Sequence, residues 1–298
     1  MRPDISVIIP FYDGGRWLPG ALDSVLSQEG AAAEVIVVDD GSNAPPDAPL
    51  RARYPGVRFT AIAHSGKGAA INAGAAFVGA DHLCVLDQDD RMLPGRLAAQ
   101  LAALKGDSQA DAVYSDYERR EEDGRLIDRF VSRQAGPAEL LHAMARARGL
   151  FSLQTLTMRK GVFDRLGGFS PDPRLTGLDD AEFFVRLLAS GARLRYVPGL
   201  FGSWTSHRSN YSKGAGFHDA RLALLERLGE LAREAPLLRA ELPAFSFSGR
   251  YMRGVFLLEE GRPREAAPEF RSALGHRFSW NALYLLFKAG ALSRLHPR

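Results

Sequence analysis

Short apolar runs alternate with helix-period segments through the first half of the chain, and no other feature constrains the fold as much. Ile5 to Ile9 reads as a buried strand, and Trp17 to Gln28 as a helix with Leu18, Ala21, Leu22, Val25 and Leu26 on one side. Val35 to Val38, Val57 to Ala63, His82 to Leu86 and Asp111 to Tyr114 read as further strands, with helices at Ala69 to Phe77 and Pro94 to Leu104. Such alternation requires right-handed crossovers between parallel neighbours. The pattern therefore predicts an α/β fold, a mostly parallel open sheet flanked by helices. From about Gly136 it gives way to helices and loops, and from Phe217 it is helical. The expected domains are residues 1–216 and a C-terminal helical extension, 217–298, joined near Ala215-Gly216.

Composition narrows the class of protein. An apolar share of 46 % with 24 % charged residues excludes wholesale disorder, collagen and coiled coil. Cys84 is the single cysteine, so no intramolecular disulfide forms. The N-terminal apolar run ending at Pro10 is too short for a signal-peptide core, and no window reaches the roughly 20 apolar residues of a spanning helix. These observations predict a cytoplasmic protein or one peripheral to the inner face of a membrane. A net charge of +3, carried almost wholly by arginine, suits anionic partners such as nucleotides or acidic lipids and falls short of a nucleic-acid footprint.

In open sheets ligands bind beyond the carboxyl ends of the strands, so the residues after each strand are the informative ones. They are Pro10-Phe11-Tyr12-Asp13, Asp39-Asp40-Gly41-Ser42 and Asp87-Gln88-Asp89-Asp90, an acidic edge that calls for a counter-charge. Asp87 and Asp89 share one side of an extended segment and offer hard oxygen donors suited to Mg2+ or Mn2+, although an acidic turn capping the helix near Pro94 would look the same. Asp39 or Asp40 can accept the ring N–H of uracil, or of guanine; paired acids after a strand also mark receiver domains. His64-Ser65-Gly66-Lys67-Gly68 precedes a helix, where backbone N–H groups and Lys67 favour an anion, or it is an ordinary turn. Asp179-Asp180 opens a helix with acids in its first turn, which capping alone would explain. His207, in the polar run Trp204 to Lys213, is a metal ligand or a surface residue.

The order of these motifs is more specific than any one of them. Val7 to Tyr12, Val37 to Ser42, Lys67 to Gly74, Leu86 to Asp90, Gly167-Gly168-Phe169, Asp179-Asp180 and His207 together resemble the family-2 inverting glycosyltransferases over residues 4–213. That resemblance implies the GT-A fold. It implies that Pro10, Tyr12 and Asp39 hold the nucleoside, that Lys67 and Asn72 lie on the nucleotide side, and that Asp87 sits near ribose or metal. It further implies metal binding by Asp89, His207 and Asp87, and catalysis by Asp180 and Asp179, with Asp180 as general base. Three positions depart from the usual pattern: Asp13 for Asn, Ile71 for Arg and Asp179 for Glu.

The implied reaction is metal-dependent inverting transfer of a sugar from a nucleotide-diphosphate sugar, UDP-sugar favoured, to a saccharide or lipid-linked acceptor during cell-surface polysaccharide synthesis. Two rivals are an inactive nucleotide-binding scaffold and a sugar-nucleotide nucleotidyltransferase, which would need a Gly-rich basic loop after the first strand. Acceptor choice is expected to rest on Arg119 to Arg133 and Arg146 to Ser152. The tail, with apolar residues at helical spacing over Leu222 to Leu238, Tyr251 to Leu258 and Phe278 to Leu295, would pack on its neighbour, join an oligomer or lie on an anionic membrane.

Overall fold

The computed structural model describes residues 3–147, 151–210 and 215–295. Tyr211, Ser212 and Lys213, and part of the Arg146 to Ser152 segment, lie outside them. Two compact units are present. The first comprises Met1–Pro137, Leu150–Pro173 and Gly191–Asn210, and the second Ala138–Gly149, Arg174–Ser190 and Tyr211–Arg298. The second unit thus takes in two earlier segments besides the tail, where the sequence suggested a linear division at 216.

The first unit begins with β1 (Ile5–Phe11), α1 (Leu18–Leu26), β2 (Ala33–Asp39), α2 (Ala48–Arg53), β3 (Arg58–Ala61), α3 (Lys67–Ala75) and β4 (His82–Val85). β5 (Arg91–Met92), α4 (Arg96–Gly106), β6 (Ala112–Glu121) and β7 (Leu126–Phe130) come next, then α5 (Pro137–Ala145), most of which belongs to the second unit. β8 (Thr157–Arg159) and α6 (Lys160–Arg165) return to the first unit, α7 (Asp179–Ala189) lies in the second, and β9 (Leu194–Ser206) completes the sheet.

Every residue of β1 is buried because helices cover both faces of the strand. Ile5, Val7, Ile9 and Phe11 pack with Leu18, Ala21, Leu22 and Val25 of α1. Ile8 points the other way, against α3, where a Cβ on Gly74 would stand 2.7 Å from Ile8 Cγ2. The absent side chain lets the helix lie close to the sheet.

The strand order is β3-β2-β1-β4-β8-β6-β9-β5, with β7 beside β6. β3, β2, β1 and β4 are parallel as expected. In the other half β9 runs parallel to β6, whereas β8 is antiparallel to β4 and β6, β7 to β6, and β5 to β9, so the open sheet is mixed in its second half. The reason is local. The antiparallel strands β5, β7 and β8 are short, and none carries the solid apolar run that marks a central parallel strand. The Trp204 to Ser206 stretch of the polar run is the end of β9.

The second unit adds α8 (Ala215–Leu231), α9 (Pro236–Glu259), α10 (Pro263–His276) and α11 (Trp280–Leu295) to α7, as the helical pattern predicts. Leu257, Ala266, Phe270 and Ala289 form a core with Leu285 and Leu286 against it. Among the described residues no helix is long and apolar enough to cross a membrane.

Candidate active site

The acidic edge assembles where β1 and β4 part. Pairing between them ends at Ile8 and Val85, and Leu86 N donates to Ile8 O at 3.0 Å. Pro10, buried and with no N–H, continues β1 alongside β2 only. Gln88 spans the gap beyond: its Oε1 accepts from Tyr12 N at 2.9 Å and its Nε2 donates to Tyr12 O at 3.1 Å. A Cβ on Gly14 would lie 2.2 Å from the Gln88 amide, so a larger residue there would displace that side chain from its bonds to Tyr12. The middle residue of Asp87-Gln88-Asp89, whose type alone suggests no role, therefore ties the first motif to the third. Asp87 to Asp90 form a turn, with Asp90 N donating to Asp87 O, rather than the extended segment expected. Nor do they cap α4, whose N-cap is Gly95 without a side-chain bond.

The two acids after β2 have separate tasks. Asp40, 3 % exposed, accepts from Ser65 N and Gly66 N at 2.8 Å each and stands 2.9 Å from His64 Nδ1. It shapes the turn that delivers Lys67 to the start of α3. Asp39, also buried, accepts from Ser42 N at 3.0 Å beside Asp13. Asp13 itself adopts a left-handed φ of 47° and accepts from Ala44 N and Asn43 Nδ2, which suits the departure from Asn, since both residues tolerate that conformation. Tyr12, 42 % exposed, stacks on His64 at 4.5 Å.

Lys67 Nζ donates to Asp87 Oδ2 at 2.7 Å, so the cation and the first acid of the third motif are paired. Asn72 bonds to a distant backbone segment. Its Nδ2 donates to Phe169 O and its Oδ1 accepts from Phe169 N, at 2.9 and 2.8 Å. It thereby anchors Gly167-Gly168-Phe169, at a Gly168 whose φ is 71°.

Asp89 and His207 meet although 118 residues separate them: His207 Nε2 is 2.8 Å from Asp89 Oδ2. The pairing of β5 with β9 brings the end of β9 alongside, and the buried Asp90 fixes it by accepting from Thr205 N at 2.9 Å. His207 is then held from several directions, through its backbone as well as its ring. Ser209 Oγ lies 2.9 Å from Nδ1, Asn210 Oδ1 accepts from His207 N, and Trp17 stacks on the ring at 4.3 Å, with the Arg16 guanidinium 4.0 Å from the indole. Burial, then the charge of Asp87, raises the Asp89 carboxyl above its usual range, against the lowering effect of His207. Burial, then Asp89 and Asp87, raises Asp90 well above that range.

Among the described residues no group of three or more His, Cys, Asp or Glu converges as a metal cage. A carboxylate and an imidazole side by side, at an acidic edge whose Asp90 Oδ2 is buried without a hydrogen-bond partner, nevertheless fit a hard divalent cation completed by phosphate oxygens and water. Asp87 is engaged by Lys67 instead. A cavity of about 390 Å³ lined by Asp107, Gln134, Arg193 and Arg195 lies at the amino ends of β6 and β9 and shares no residue with this cluster.

In the second unit, Asp179 and Asp180 occupy the first turn of α7, Asp179 buried and Asp180 half-buried. Asp180 Oδ1 accepts from Ala181 N at 2.7 Å. One turn on, Glu182 is fully buried, bidentate to Arg186 and also within reach of Arg227. That pairing locks the helix and leaves the two aspartates as its leading acids.

Residues 6–170 match the model of glycosyl transferase family 2. The chain is 30 % identical over 316 residues to the succinoglycan biosynthesis protein ExoO of Rhizobium meliloti, covering 99 % of this chain and 88 % of that protein. It spans only 31 % and 28 % of the length of two uncharacterized glycosyltransferases of Rickettsia felis and Rickettsia conorii. Among solved structures, TarS of S. aureus in complex with UDP superposes with a TM-score of 0.66 at 16 % identity, over 97 % of this chain and 87 % of that one. A mannosyltransferase of Pyrobaculum calidifontis in complex with GDP-Man and Mn2+ superposes with a TM-score of 0.59 at 20 % identity, over 100 % of this chain and 82 % of that one. These superpositions establish the fold.

Proposed function

Because the chain belongs to glycosyl transferase family 2, we propose that it transfers a sugar, with inversion, from a nucleotide-diphosphate sugar to a hydroxyl of a saccharide or lipid-linked acceptor. Residues 1–216 make up the transferase in this reading and 217–298 its extension, and the pathway is cell-surface polysaccharide synthesis, in keeping with the succinoglycan biosynthesis for which ExoO is named. UDP-sugar is the favoured donor, in keeping with the UDP bound by TarS.

The observation that carries this reading is the meeting of Asp89 with His207 at 2.8 Å, beside Asp39 and the Lys67–Asp87 pair, at the parted ends of β1 and β4. Asp39 accepts a ring N–H of the base over the backbone of Pro10, and Tyr12 lies against the nucleoside. Lys67, steered by Asp40, places its charge by the diphosphate while Asp87 orients it. Asp89 and His207 would hold Mn2+ or Mg2+, which supplies charge against the departing diphosphate. Asp180, seconded by Asp179, takes the proton of the acceptor hydroxyl as its oxygen bonds to the anomeric carbon. The bond from that carbon to the diphosphate oxygen breaks with its electron pair going to the diphosphate, and a single displacement inverts the configuration.

Asp180→Asn is the test. Loss of a general base lowers turnover by about 100-fold or more, while UDP affinity by titration calorimetry is expected to hold. Weakened UDP binding with residual turnover would refute the assignment.

A further inference from the structure

The face of α11 turned from the core carries Trp280, Tyr284 and Phe287, which are 75 %, 65 % and 69 % exposed. They stand at i, i+4 and i+7, one stripe of the helix, and Phe278 just before it, 60 % exposed, packs edge-on against Trp280 at 4.9 Å. The opposite face is spent on the helical core through Leu285, Leu286 and Ala289. Single exposed aromatics are ordinary; four within ten residues on one side form a patch that water does not favour.

Charge identifies what covers it. Beyond Glu269 the sequence contains no Asp or Glu, whereas Arg271, Arg277, Lys288, Arg294 and Arg298 add five positive charges. Arg277 and Lys288 are exposed beside the aromatic stripe. A second copy is a poor occupant, since a two-fold pairing of this face would set an acid-free basic segment against itself. An interfacial helix has the composition seen here, with Trp and Tyr at headgroup depth and basic side chains at the rim.

We propose that this face of α11 docks the protein on an anionic bilayer, seating it where a lipid-linked acceptor would be presented. The proposal deepens the transferase reading and rests on it for that acceptor. The test is co-sedimentation of the full chain with vesicles of phosphatidylcholine, with and without phosphatidylglycerol. Binding is expected only to the anionic vesicles. Arg277→Gln with Lys288→Gln should weaken it about 25-fold, since each basic residue near such a surface is worth about five-fold in partition. W280S/Y284S/F287S should abolish pelleting while UDP affinity and thermal midpoint are kept. A wild-type chain that stays in the supernatant, a triple variant that pellets unchanged, or a dimer in solution that the triple variant dissolves would each overturn it. Vesicle binding lost with UDP binding intact counts against the docking face alone, and absent UDP binding counts against the transferase reading alone.

Discussion

Asp39 and Asp40 are neighbours of one residue type, both buried at the end of β2, yet replacing each by Asn should give opposite phenotypes. Asp40 uses one carboxylate oxygen for Ser65 N and the other for Gly66 N, at 2.8 Å each. Asparagine keeps one oxygen and turns an NH2 toward the second N–H. A hydrogen bond to a charged acceptor contributes about 1.5–3 kcal/mol, and a donor left facing a donor adds a further desolvation cost, so Asp40→Asn should lose about 3 kcal/mol. The His64 pair adds little, because that side chain is 59 % exposed. Against a typical total of about 5–15 kcal/mol the loss is severe. It corresponds to a fall of about 6–12 °C in the melting temperature, read by fluorescence of Trp17 and Trp204 in the same unit. Asp39→Asn keeps the oxygen that Ser42 N needs and should stay within about 0.5 kcal/mol of wild type. It removes the anionic acceptor for the base, however, and should weaken UDP binding about 10- to 100-fold. Melting temperatures for the two variants within about 2 °C of each other would refute the division of labour.

Other consequences are open to direct measurement. Asp89→Ala should remove the dependence of UDP affinity on Mn2+, and an unchanged metal titration would count against Asp89 as the metal-side acid. Gly74→Val places a branched side chain where Ile8 and Val38 already lie 2.7 and 3.0 Å from a Cβ, and should destabilise the first unit by about 1–3 kcal/mol in urea unfolding; a wild-type midpoint would mean that α3 shifts freely. Burial holds the His82 imidazole below its ordinary value. The unfolded chain therefore takes up the proton first as pH falls below about 6.5, and stability that is complete at neutral pH is lost on the acid side. The urea midpoint should accordingly fall less between about pH 7.5 and 5.5 in His82→Gln than in wild type, and parallel pH profiles would contradict this.

The chain's own pattern determined the parallel half of the sheet and the acidic residues at its edge, because strands covered on both faces must be continuous apolar runs and the turns at their ends, open to water, must be polar. It also determined the helical tail and the acids in the first turn of α7. Tertiary structure decided the rest. β9, half-exposed and interrupted by Pro198 and Gly199, has no strand signature of its own and exists through pairing with β6 and β5. Without it His207 would not reach Asp89, and nothing local in the sequence records a contact across 118 residues. Asp39 and Asp40 are chemically alike, so only the position of the turn at Ser65 and Gly66 distinguishes clamp from ligand. Likewise Gln88 and Asn72 carry the same amide; a residue's type fixes which bonds it can make, and the packing of distant segments fixes which partner arrives to make them.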